Sequence, residues 1–186
     1  SEPDGAKYAG APPLRSDADR DALWAGLNDG TVSTVCTDHA PWTLDEKLDP
    51  TLTASDLRHG MAELETLMPV LWSKGIATGR ISVATFVEVT STTAARLFGL
   101  YPRKGTIAPG SDADIVIWNP NDTRTIDGST MHSNAGYSPY DCWQVTGWPE
   151  LTISRGEIIA RATETGIDVL GAPGRGRLVE RKRLVR

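Results

Sequence analysis

The stretch STVCTDHAPW, Ser33–Trp42, opens as an apolar, β-branched run and closes on an acid, a histidine and a proline. Its first part belongs to the longer run TVSTVCT, Thr31–Thr37, which has the composition of a strand. Pro41 stops that strand and fixes the loop behind it. Upstream, SDADRDALWAGLNDG (Ser16–Gly30) predicts a helix. Ser16 caps it, Asp19 stands at the capping-box position, Leu23 and Leu27 share a face, and Gly30 ends it. A helix, a tight glycine turn and a buried strand form the repeating step of a parallel α/β sheet. In a closed β/α barrel, the residues just past the C-terminal ends of the strands face the site. Asp38 stands there, three residues past Val35.

A carboxylate at that place can bind a hard or borderline cation and take a proton from a water on it. Zinc suits the role, since it brings the pKa of its water down to about 7. The commoner role for an Asp after a strand is a turn or a helix cap, and the residue alone does not choose between them. His39 alternates to the other side of the strand, which makes it either structural or a support behind the residues of the site. His59 and His132 form no ligand spacing with Asp38, and three scattered histidines cannot build a two-metal site.

LDEKLDPTLTAS, residues 44–55, reads as a polar loop, long enough to be functional. A second helix is predicted over about Asp56–Lys74, with Leu57, Met61, Leu64, Met68, Leu71 and Trp72 in one stripe and Pro69 kinking or splitting it. A third spans residues 82–100, with Val83, Phe86, Val87, Ala94, Leu97 and Phe98 as core and Gly99 as its stop. From Gly105 the pattern turns to strands. It gives a short strand, a Pro-Gly turn, a strong strand over Ile115–Trp118, and a hairpin about Arg155-Gly156. The chain thus divides into 1–104, an α/β segment, and 105–186, a β segment with a basic tail. One parallel-type strand cannot make a sheet, and the β segment has too few strands to close a sandwich. Both halves are expected to need further chain.

The 186 residues carry a formal charge of −5, which gives no reason to expect a nucleic acid or anionic membrane as partner. The last twelve residues hold six Arg or Lys and one Glu, a tail expected to be solvated or to meet another subunit. No apolar run approaches the roughly eighteen residues of a membrane span, and no signal-peptide pattern opens the chain. Cys36 and Cys142 suggest neither zinc nor a disulfide framework, so the expected home is the reducing cytoplasm. The opening SEPDGAKYAGAPP, without an initiator Met, points to a piece of a longer chain.

APPLRSDADRDALWAGLNDGTVSTVCTDHAPW (11–42) resembles the last strand–helix region of cyclic amidohydrolases: hydantoinases, dihydropyrimidinases and allantoinases. TSTTAARLFGLYPRKGTIAPGSDADIVIWNP (90–120) is similar to the hydantoinase passage from the barrel into the small β domain. VTGWPELTISRGEIIARA (145–162) resembles the later hairpin, and GRGRLVERKRL (174–184) the tail. The likeness covers nearly the whole chain. It implies the C-terminal part of a TIM-like (β/α)8 barrel followed by strands of a small β-sandwich, incomplete by itself.

The resemblance implies two zinc ions bridged by a carbamylated lysine and a hydroxide. Asp38 matches the aspartate that binds the more buried metal and carries the proton from the hydroxide to the leaving ring nitrogen. The ring opens to an N-carbamoyl acid. Two backbone stretches hold the ring amide. One is matched by Ala11, where hydantoinases usually carry Ser, and the other by His59, where Asn is common. Read on its own, His59 is equally an ordinary polar residue. The remaining metal ligands would lie upstream, because Lys7, Lys47, Lys74, Lys104 and Lys182 sit in no comparable strand-end motif. The 186 residues alone are therefore expected to be inactive. The implied partners are a small cyclic amide and further copies of the chain, as a homodimer or homotetramer. Hydantoins and dihydropyrimidines lead as substrates, and allantoin is a close rival. A reading of another class is a non-catalytic, dihydropyrimidinase-like scaffold, against which the retained Asp38 argues. The tryptophans of DCWQVTGW are read chiefly as filling the junction between barrel and β domain.

Overall fold

The computed structural model describes residues 4–164 and 166–181; the end of the basic tail, residues 182–186 with Lys182, lies outside them. The first helix, α1 (Asp17–Asp29), begins as its sequence predicts. The Ser16 side chain accepts from the Asp19 amide while the Asp19 carboxylate accepts from the Ser16 amide, and Gly30 closes the helix at φ 83°. A four-residue helix, α2 (Leu44–Lys47), interrupts the expected loop. It carries a second capping box, Thr43 with Glu46, a signal present in TLDEK.

The second long helix starts eleven residues later than predicted. Residues 57–66 are loop and turn, and α3 (Leu67–Leu71) runs on through a π turn, Trp72–Ile76. Pro69 neither kinks nor splits it. It occupies the first helical turn, where the amide it lacks would have had no partner anyway. The third helix is α4 (Val83–Val87), a π turn (Glu88–Thr92) and α5 (Thr93–Leu97) in unbroken succession, with Gly99 beyond its end at φ 70°.

Thr31–Thr37 forms no strand. Its main chain makes isolated bonds, Val32 N–H to Gly26 C=O and Val35 N–H to Val89 C=O. A parallel strand exists only through the ladder its neighbours supply, and no described segment supplies one. The short strand expected after Gly105 is likewise turn and bend.

Among the described residues, four strands form one antiparallel sheet in chain order: β1 (Ile115–Thr125), β2 (Gln144–Ser154), β3 (Glu157–Ala162) and β4 (Ile167–Val169). Pro120 falls in the unpaired gap of the edge strand β1 between Asn119 and Thr123, and Pro149 of β2 sits at the register shift opposite Trp118. Those are the places a residue without an amide can occupy in a sheet. The hairpin at Arg155-Gly156 is present, with both residues at positive φ (50° and 81°) and Ser154 paired with Glu157, as the twist of the flanking strands favours.

The main core joins Leu27, Leu71, Ile81, Phe86 and Val89, with Trp24, Val32 and Val35 packed against it. Trp72, Phe86 and Trp118 bind helices to sheet, with ring centroids 4.9–6.0 Å apart. Trp148 is buried with Ile126 and Val145, against Val70 of α3, as its reading required, whereas Trp143 is exposed under Lys74. Other apolar positions predicted as core are not. Leu23, Leu64, Val83, Val87, Leu97 and Phe98 are 46–62% exposed, since the periodic stripes are wider than the core this chain assembles.

Candidate functional site

Asp38 adopts φ 48°, a left-handed conformation that Asp tolerates better than most residues, and its side chain is exposed. The residues after it are firmly held. The His39 amide bonds Thr37 Oγ1 at 3.2 Å, the Ala40 amide bonds Met61 O at 3.1 Å, and Trp42 closes a turn onto Ala40 O. His39 is structural: its Nδ1 accepts from the amides of Glu63 and Leu64, both at 3.2 Å.

Three segments thereby converge. Gly60 lies so close to residues 38–40 that a β-carbon on it would stand 2.4 Å from Ala40 Cβ and 3.9 Å from Asp38 O. At φ 103° it also needs the freedom of glycine. Its amide bonds Ala9 O at 3.1 Å, bringing in the segment that leads to Ala11. The structure so gathers the chain around Ala11, Asp38 and His59, all three exposed, and no hydrogen bond joins their side chains among the described residues.

Sequence reasoning missed several groups here. Lys47 is 1% exposed, and its ammonium donates to the carbonyls of Ala9, Arg58 and Gly60 at 2.9, 2.6 and 2.8 Å. Burial pulls its pKa down from the ordinary value. Glu63 accepts from the Tyr140 hydroxyl at 3.0 Å. Burial raises the Glu63 carboxyl, the Tyr140 bond and the nearby His39 oppose that, and the charge of Asp38 adds to it. The Tyr140 phenol is pushed far up, by burial first and by Glu63 second. His132, beyond β1, is held to Glu65 through both its amide and its Nδ1. These partners lie 67 and 77 positions apart in the chain, so no local spacing could have marked them.

Asp38 is chemically suited to one ligand position. A catalytic zinc needs about three protein ligands, and no cluster of three or more His, Cys, Asp or Glu that could hold a metal occurs among the described residues. The groups described here therefore do not make a zinc centre by themselves.

A profile of the Amidohydrolase family matches residues 11–159. The chain belongs to this family. It is 41% identical to the D-phenylhydantoinase of Escherichia coli O1:K1 over 98% of its own length and 39% of that relative's. Among solved structures, it superposes on the D-hydantoinase (dihydropyrimidinase) of Thermus sp. with a TM-score of 0.88 at 37% identity, covering 95% of this chain and 38% of that one. The dihydropyrimidinase of Brevibacillus agri gives 0.88 at 40% identity, over 98% and 39%. The L-hydantoinase of Arthrobacter aurescens gives 0.80 at 36%, over 90% and 37%. This amidohydrolase chain thus spans about two fifths of the length of the relatives it matches. Its helices and small antiparallel sheet match part of the hydantoinase structures, consistent with a partial amidohydrolase barrel region, and no described helix is long and apolar enough to cross a membrane.

Proposed function

We propose that the full-length protein carrying this chain hydrolyses cyclic amides of the hydantoin and dihydropyrimidine class, opening the ring to an N-carbamoyl acid. Asp38 carries this reading. Its carboxylate is exposed, sits in a left-handed backbone, and stands at the meeting of three segments. The chain around it is 41% identical to a D-phenylhydantoinase.

In the ring opening a C–O bond forms between water and the amide carbonyl carbon, and the ring C–N bond breaks. Asp38 accepts the proton that the water gives up and delivers it to the leaving nitrogen, so that the nitrogen departs as a neutral amide. The main chain at Ala11 and His59 holds the ring amide. A side-chain change at either position leaves main-chain donors and acceptors in place. Zinc, bound by Asp38 together with ligands outside this chain, would supply Lewis acidity at the carbonyl. The 186 residues alone are inactive in this reading. The division of the chain near residue 104, a homodimer or homotetramer and a cytoplasmic home belong to the same proposal.

The test is a ring-opening assay on the full-length protein supplied with zinc, using hydantoin, 5-phenylhydantoin, dihydrouracil, allantoin and dihydroorotate. Turnover of one ring that collapses in Asp38→Asn supports the reading and selects the substrate. No turnover and no bound zinc would replace it with a non-catalytic scaffold.

A further inference from the structure

We propose that Lys47 is a substrate-positioning residue, whose ammonium sets the spacing of the Ala9–Ala11 and Arg58–Gly60 main chain. The proposal rests on the reading of Ala11 and His59 as the holders of the ring amide. Lys47 ends the short helix α2, and its side chain runs inward until only 1% of the residue is exposed. An ammonium has three protons and no acceptor. Here all three go to main-chain carbonyls: Ala9 O, Arg58 O and Gly60 O. No carboxylate pairs with it among the described residues.

That arrangement is expensive, because burying a cation with only neutral acceptors forfeits its hydration. A methionine would fill the same space without that cost. The ammonium adds a geometric constraint instead. Two of its acceptors flank His59, and the third lies two residues before Ala11. The His59 carbonyl between them is held by the Trp42 indole N–H at 3.0 Å. Three consecutive carbonyls, 58 to 60, are thus each tied by a side chain. The Gly60 amide adds a direct bond to Ala9 O. A substrate held by main-chain groups on two separate segments requires those segments at a fixed distance, and Lys47 spans them.

The experiment compares full-length, zinc-supplied wild type with Lys47→Met and Lys47→Gln on whichever ring the wild type opens. Melting temperature and zinc content are measured beside KM and kcat. The expected result is a KM raised about tenfold in Lys47→Met and less in Lys47→Gln, which keeps two donors, with kcat within roughly threefold of wild type and zinc unchanged. A merely structural lysine would lower the melting temperature and leave KM alone. A KM within about twofold of wild type in a folded variant would overturn the proposal. Failure of both variants to fold would overturn it too, making Lys47 an anchor of the fold only. Wild type that opens none of the rings sinks the functional reading first, an outcome distinct from a wild type whose KM Lys47→Met leaves unmoved.

Discussion

Gly147 of β2 presses its backbone against the indole of Trp72 so closely that a β-carbon there would stand 2.1 Å from Trp72 Cδ1. The contact joins the sheet to the helix α3 and its π turn, and the neighbouring Thr146 amide bonds Ser73 Oγ at 3.1 Å. Gly147 also holds φ 97°, where any side chain is strained. Gly147→Ala therefore faces two costs together, a clash with a packed aromatic ring and an unfavourable backbone. It should destabilise by about 3 kcal/mol or more, read as a lower melting temperature of the full-length protein. The loss should carry over to Trp118, whose ring lies 4.9 Å from Trp72, as a change in tryptophan fluorescence.

Cys142 offers the opposite case. It holds φ 67° in an exposed turn, pinned by its amide to Ile126 O at 2.9 Å. A left-handed residue with a β-carbon costs about 1–2 kcal/mol, while glycine gives back roughly 0.5–1 kcal/mol through the freedom of the unfolded chain. Cys142→Gly should thus be neutral to slightly stabilising, and Cys142→Val clearly destabilising. Denaturant midpoints of the two variants, compared at equal slope, check the order.

A third prediction concerns acid stability. Lys104 lies between Asp112, at 2.8 Å, and Asp114. The Lys104 hydrogen bond, with Arg103 in support, holds the Asp112 carboxyl below its ordinary value of 3.8. Asp114 is pushed up by burial, yet the bonds from Lys104 and the Arg155 amide leave it lower on balance. Both carboxyls are thus more acidic folded than unfolded. Their contribution to stability is present above a pH of 3.8 and is lost as pH falls through the folded values. Lys104→Met should lower the melting temperature at neutral pH. The gap to wild type should narrow steadily in scans carried below pH 4. A gap that stays constant down to pH 2 would contradict this account.

Local chemistry explains which parts of the fold were legible. The capping box at Ser16–Asp19, the Gly30 stop and the Arg155-Gly156 hairpin are decided within a few residues, and the structure has each of them. Thr31–Thr37 shows the limit: β-branched composition marks a strand, but a strand is a relation to neighbours, and the ladder is missing. Residues 57–66 have a helical stripe and are not helical, because Lys47, Trp42 and His39 claim their carbonyls and amides for other partners. At the candidate site, Asp38 was visible from its place behind an apolar run. Lys47 was not, since a lysine in a polar stretch reads as solvated until the carbonyls that surround it are known. The same holds for Glu63, whose partner Tyr140 is set by the packing of distant loops.

The last prediction separates the two properties Asp38 must combine, its backbone and its carboxylate. At φ 48° an alanine pays for the left-handed conformation, whereas asparagine adopts it readily. Asp38→Ala alone would therefore confuse a displaced loop with a lost proton carrier. Asparagine keeps the shape and the backbone but cannot accept and return a proton at neutral pH. In the full-length protein, Asp38→Asn should keep the wild-type melting temperature, while kcat on the selected ring falls by about a hundredfold to ten-thousandfold. Asp38→Glu retains a titratable carboxylate one methylene further out and should regain a small part of that loss. If Asp38→Asn turns over at a rate close to wild type, the proton passes through another group. Glu63, whose carboxyl burial already raises, would then be the first to replace with glutamine.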